Sequence, residues 1–164
     1  MTVRVAIAAL AALAVAACAT APATPAKVTY TGTPQEQWVQ GQKAYEAWSA
    51  ARRGWTVTES GLQYRRIKAA RGAQPTVEST VTIHYVGTFI DGREFDSSRK
   101  RGEPATFPLG RLIKGWQEGV PMMRVGETWQ FVIPSDIAYG DRDRAPIPPG
   151  STLLFEIELI GIEE

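Results

Sequence analysis

Cysteine and histidine are almost missing: the 164 residues hold one of each, Cys18 and His84. A single cysteine excludes an internal disulfide, so stability must come from an apolar core. Neither a His/Cys metal cluster nor a Ser-His-Asp triad can be assembled around one such histidine. An excess of either charge is also lacking. The chain has 18 basic and 17 acidic residues, a formal net charge of +1, and loss of Arg4 with a leader would level the two. That balance excludes a nucleic-acid binder or a protein drawn to anionic surfaces by bulk charge. No apolar run reaches the ~20 residues that a membrane-crossing helix needs. Gly110 to Gly115 lacks the Lys-Ser/Thr ending of a phosphate loop, and no dinucleotide fingerprint follows a strand. Asp136, Asp141 and Asp143 are interleaved with Arg142 and Arg144, without the glycine or the closing glutamate of a calcium loop, so no metal site is expected. With 44% hydrophobic and 21% charged residues, what is left is an ordinary soluble globular composition.

Several local signals are present. Arg4 precedes an uncharged apolar run from Val5 to Ala17 that ends in small residues, which reads as a secretory leader over residues 1–17. Cys18 directly follows Val15-Ala16-Ala17, a setting that resembles a bacterial lipobox; its thiol would be acylated and Cys18 would become the first mature residue. The alternative is cleavage at an Ala-x-Ala site near Ala17 to Ala19, which would leave a soluble exported protein. Either way the expected location is the periplasmic side of a bacterial envelope, with a lipid anchor at Cys18 in the first case. Residues 18–32 are small, Thr-rich and Pro-containing, and read as a flexible tether.

Thr33-Pro34-Gln35-Glu36 is a helix start, with Thr33 as N-cap, Pro34 at the first helical position and Glu36 completing a capping box. An amphipathic helix over residues 33–54 is expected, carrying Trp38, Gly41, Tyr45 and Trp48 as one stripe and ending at Gly54. That stripe would either dock on its own domain or serve as a dimer seam or client-capturing surface. From Glu59 the period changes to two. Val81, Ile83 and Tyr85 share one strand face and Thr82 and His84 the other, which turns His84 away from Tyr85. Further strands are expected over Leu62 to Ile67, Glu127 to Ile133 and through Phe155, Ile157 and Leu159. Asp91-Gly92 marks a tight hairpin, and the single short helix fits Ile113 to Gly119. The expected fold class is α+β: a curved antiparallel β-sheet wrapped over one short α-helix, preceded by the amphipathic helix.

The segments Ile83 to Ser98 (IHYVGTFIDGREFDSS), Leu112 to Val120 (LIKGWQEGV) and Ala138 to Leu159 (AYGDRDRAPIPPGSTLLFEIEL) occur in an order that closely resembles the FKBP-type peptidyl-prolyl cis-trans isomerases. The resemblance covers residues 59–164. It implies an enzyme that accelerates rotation about X-Pro bonds without a cofactor. Trp116 would form the floor under the proline ring, with Tyr85, Phe95, Phe107, Leu112 and Phe155 as walls and Ile147 closing the rim. The Ile113 backbone N–H and the Tyr139 hydroxyl would meet substrate carbonyls. Asp96, held by Arg101, would face the twisting carbonyl. Implied partners are proline-containing unfolded or partly folded polypeptides and macrolide inhibitors, and the implied state is a monomer or weak dimer. The rival reading from the same residues is a periplasmic chaperone that holds clients in the pocket and on the helix with little turnover. Two departures from the family pattern are a short Gly140 to Pro146 loop and Ala105 at a site that is aromatic in some members.

Overall fold

A periodicity of two builds most of the molecule. The computed structural model describes residues 29–163, so the expected leader, Cys18 and the tether up to residue 28 lie outside the described residues. Along Thr80–Thr88 (β3), Val81, Ile83, Tyr85 and Gly87 are buried while the residues between them are only partly so. The remaining strands are Thr56–Val57 (β1), Gln63–Lys68 (β2), Glu94–Ser97 (β4), Ala105–Pro108 (β5), Thr128–Ile133 (β6) and Leu153–Glu163 (β7). They pair in the order β1-β2-β6-β7-β3-β4, and every pairing is antiparallel. The edge beside β3 is shared: β4 pairs with Val86 to Thr88, and β5 with Thr80 to Ile83. One sheet face therefore carries the core, with Leu62, Val81, Ile83, Leu109, Val120, Met123, Ile133, Leu153, Ile157 and Leu159 all fully buried.

The helix Lys114–Gly119 (α3) lies on that face, and its sequence explains how it gets so close. Gly115 and Gly119 are one turn apart on the same side. A Cβ on Gly115 would sit 2.5 Å from Ile133 Cγ2, and one on Gly119 2.6 Å from the Phe131 ring. Two bare positions thus let the helix backbone lie against β6, and the neighbouring Trp116 is carried in with it.

Three expectations change. The structure has a second short helix, Ser98–Arg101 (α2), capped by the Ser97 hydroxyl accepting from Lys100 N at 3.2 Å and closed by Gly102 at φ 81°. One turn is too short to show a 3.6-residue period, and only the cap and the stop announce it. The hairpin at Asp91-Gly92 is longer than a two-residue turn: Thr88 stands opposite Glu94, Phe89 N donates to Arg93 O at 2.9 Å, and the register shifts at Gly87/Thr88.

The third change concerns the first helix, Pro34–Ala50 (α1). Its capping box forms as expected, with Thr33 N donating to Glu36 Oε2 at 2.7 Å and Glu36 N to Thr33 Oγ1 at 3.3 Å. The residues it buries fully, however, are Gln42 and Ser49, so its docking face is centred beside the expected aromatic stripe, of which Trp38 takes part in the contact. Tyr45 and Trp48 pack on each other at 5.2 Å, with Arg52 over the Trp48 ring at 4.6 Å. Docking onto the domain is polar. Trp38 Nε1 and Gln35 Nε2 donate to Pro149 O at 3.1 and 3.3 Å, Thr152 N donates to Gln42 Oε1 at 3.0 Å, and Thr152 Oγ1 to Glu46 Oε1 at 2.7 Å. Ser49 Oγ donates to Gln63 Oε1 at 2.6 Å, and Gln63 Nε2 donates to Glu46 O at 2.8 Å. A hydrophobicity pattern cannot register such a face, because its partners are polar groups: carbonyls, amides and hydroxyls.

Candidate active site

Alternation along β3 aims Tyr85 inward, and Ser98 at the start of α2 fixes it there. The Ser98 hydroxyl accepts from Tyr85 N at 2.8 Å, while His84 Nδ1 lies 3.0 Å from the same oxygen on the other side of the strand. β7 brings Phe155 beside Tyr85, β4 and β5 bring Phe95 and Phe107, and α3 brings Trp116. The three rings Phe155, Tyr85 and Phe107 have centroids 5.1, 5.4 and 6.3 Å from the indole and stand at 86°, 80° and 78° to its plane. Walls near right angles to a floor make a box. Phe95 completes it edge-on to Phe155 at 5.6 Å. That contact requires Gly87, where a Cβ would fall 2.7 Å from Phe95 and 2.8 Å from Phe155.

These rings, with Asp96, Leu112, Ile113 and Tyr139, line a cavity of about 720 Å3, within the usual range for small-ligand sites. Trp116 is 5% exposed and its indole N–H is buried without a hydrogen-bond partner, so packing alone holds the ring. Among the described residues the Ile113 N–H, at the cap of α3, has no acceptor, and the Tyr139 hydroxyl has no partner. Both groups are left available to a carbonyl. Gln117 secures the segment before Ile113 by donating to Leu112 O at 2.7 Å.

Asp96 belongs to a polar triad at one side of the box. Tyr85 Oη donates to Asp96 Oδ2 at 2.5 Å, Arg101 Nη1 donates to Asp96 Oδ1 at 2.5 Å, and Arg101 Nη2 to Tyr85 Oη at 2.9 Å. Partial burial alone would raise the Asp96 carboxyl. The hydrogen bonds from Tyr85 and Arg101, with the guanidinium charge, outweigh it and hold the group below the ordinary carboxylate range. Burial, then the bond to Asp96, pushes the Tyr85 phenol up. Bonds to Tyr85 and Asp96 raise Arg101 further, so the triad carries one anion, one cation and one neutral hydroxyl at neutral pH.

Of the residues anticipated from sequence, Tyr85, Phe95, Asp96, Phe107, Leu112, Ile113, Trp116, Tyr139 and Phe155 meet at this cavity. Arg101 stands behind Asp96 and Tyr85 and does not line it. Ile147, expected at the rim, packs in the core cluster with rings of the cavity. It is not among the lining residues; it is 6% exposed in the same cluster as Tyr85 and Trp116, and its backbone exchanges hydrogen bonds with Arg144. Residues missed from sequence are Ser98, Gln117, and the basic lining residues Arg111, Lys114, Arg142 and Arg144. Only their charge signalled the last four, and scattered surface charges look alike in a sequence.

Residues 72–160 match the family described as FKBP-type peptidyl-prolyl cis-trans isomerase. The chain is 47% identical over 129 residues to the FKBP-type peptidyl-prolyl cis-trans isomerase FkpA of Aeromonas hydrophila, covering 77% of this chain and 48% of that protein. It is 47% identical over 112 residues to the outer membrane protein MIP of Legionella longbeachae, covering 68% and 48%. The chain thus spans about half the length of the curated relatives it matches. A crystal structure of a peptidyl-prolyl cis-trans isomerase from Pseudomonas syringae superposes with a TM-score of 0.74 at 32% identity, covering 82% of this chain and 100% of that one. The sheet over a short helix, the ring-walled box and these matches carry one conclusion: this chain belongs to the FKBP-type peptidyl-prolyl cis-trans isomerase family.

Proposed function

We propose that the protein is an exported peptidyl-prolyl cis-trans isomerase that accelerates X-Pro rotation in polypeptides folding on the periplasmic side of a bacterial envelope. The observation that carries this reading is the box of perpendicular rings around Trp116, open to solvent and lined by two unpaired donors. Amide resonance sets a barrier of ~18 to 20 kcal/mol to the rotation, and lowering it needs neither nucleophile nor metal. It needs tighter binding of the twisted amide than of either planar form. On twisting, nitrogen and carbonyl lose their charge separation, so an apolar box disfavours the polar planar amide relative to the transition state.

Within that box the proline ring sits on Trp116 between Tyr85, Phe107 and Phe155. The Ile113 N–H and the Tyr139 hydroxyl hold the flanking carbonyls and so fix the chain on one side of the bond while the other turns. Both Asp96 oxygens are engaged, by Tyr85 and by Arg101. Asp96 therefore acts through the orientation of Tyr85 and through its charge near the turning carbonyl. Acylated Cys18 would tether the domain to a membrane, in keeping with the envelope setting named for the Legionella relative. The test is a proline-tetrapeptide isomerisation assay on the full chain. Turnover well above the uncatalysed rate is expected, and background turnover with intact holding of unfolded clients would replace this reading by the chaperone one.

A further inference from the structure

We infer that this site selects proline segments that carry an acidic side chain close to the proline; the inference rests on the isomerase reading above. The cavity floor is apolar, but its rim is not. Arg111 and Lys114 stand on one side, ahead of and at the start of α3, and Arg142 and Arg144 on the loop that follows Tyr139. All four are exposed. Three carboxylates line the same cavity, and one of them is already matched from outside it: Asp96 is held by Arg101 at 2.5 Å. Asp136 lies 3.9 Å from Lys43 of α1, which is shared with Glu46 at 3.1 Å. Asp136 and Asp141 are left against four cations.

The cations are not spent elsewhere. Among the described residues none of Arg111, Lys114 or Arg142 has a carboxylate within ion-pair distance. Arg144 lies over the Tyr139 ring at 4.8 Å, which places a guanidinium against the face of the ring whose hydroxyl is assigned to a substrate carbonyl. A peptide seated on Trp116 with its backbone at Ile113 and Tyr139 runs between two pairs of positive charges. Exposed charges act through water and are screened by salt, so they steer encounter and sort clients without changing the rotation itself. The chemistry that fits such a rim is a carboxylate within a residue or two of the proline.

The experiment uses the full chain and three acetylated, amidated peptides around one Leu-Pro bond, differing only in Glu, Gln or Lys placed two residues from the proline. Isomerisation is read by exchange NMR at low and high ionic strength. The expected result is kcat/KM higher for the Glu than for the Lys peptide by about three- to tenfold at low salt, collapsing towards unity near ~0.5 M salt. The double reversal Lys114→Glu with Arg142→Glu should invert that ratio. If the Gln peptide is turned over and the Glu/Lys ratio stays near unity at low salt, the inference is wrong while the isomerase reading stands. A ratio that survives high salt is equally contrary, since it would not be electrostatic. No turnover of any peptide removes the isomerase reading and the inference with it.

Discussion

In the proposed mechanism two residues divide the work of holding a substrate from that of shaping the field around it. Tyr139 offers a hydroxyl with no other partner, so Tyr139→Phe should lose one hydrogen bond, ~0.5 to 1.5 kcal/mol, and lower kcat/KM by about tenfold or less. Asp96→Val removes a charge and also frees Tyr85 and Arg101, which now share it; kcat/KM in the tetrapeptide assay should fall at least as far. Full rate in both variants would refute these roles. The same carboxyl sets the acid limit. Its folded pKa is depressed, so its contribution to stability is complete above the unfolded value and lost as pH falls through the folded one. The part of kcat/KM that depends on Asp96 should therefore be flat through neutral and mildly acidic pH and decline only below the ordinary carboxylate range, measured as a pH-rate profile. At this scale the sequence was legible wherever an aromatic type recurred at a family position. It was silent on Ser98 and Gln117, whose job is to clamp backbone groups that become neighbours only after folding.

Among the elements, α3 is the most tightly specified. Gly119 lets its backbone rest on Phe131, so Gly119→Ala overpacks the contact, and a cost of ~1 to 3 kcal/mol is expected in chemical denaturation, with Trp116 displaced and kcat/KM reduced. An unchanged denaturation midpoint would contradict the close approach. α1 acts at longer range. Its Trp38 donor meets Pro149, Gly150 N donates to Gly140 O at 2.9 Å, and Gly140 follows Tyr139 directly. Trp38→Ala should thus raise KM more than it lowers kcat and should speed amide exchange at Gly140 and Gly150, as read by hydrogen-exchange NMR. Unaltered exchange there would mean that the helix is only an appendage. The existence and caps of α1 were legible from Thr33 to Glu36. Its docking face was not, because Gln42, Glu46 and Ser49 read as solvent-facing residues until Thr152 and Gln63 are known to meet them. β3 and β7, by contrast, could be read almost residue by residue, since both bury alternate side chains against one core.

For the whole molecule the anchor and the catalytic unit are separable proposals. Cys18→Ser should move the exported protein from the detergent-rich to the aqueous phase in a phase-partition assay while its tetrapeptide turnover is retained; partitioning that does not change would argue for cleavage beyond Cys18. The fold as a whole was recoverable because strand alternation, glycine stops and one family's motif order agree, and the expected cavity residues come together because the strands, α3 and the segments beside it carry them to one face. The return of the loop onto the sheet has one more implication. Gly150 N and Gly140 O pinch the base of the 140–150 segment, and Gly140 N is tied to Ser135 O at 2.8 Å. Beyond that knot, residues 141–146 are exposed. They form a replaceable cartridge: new tips grafted there would retune which polypeptides are admitted, while the ring box beneath keeps its shape.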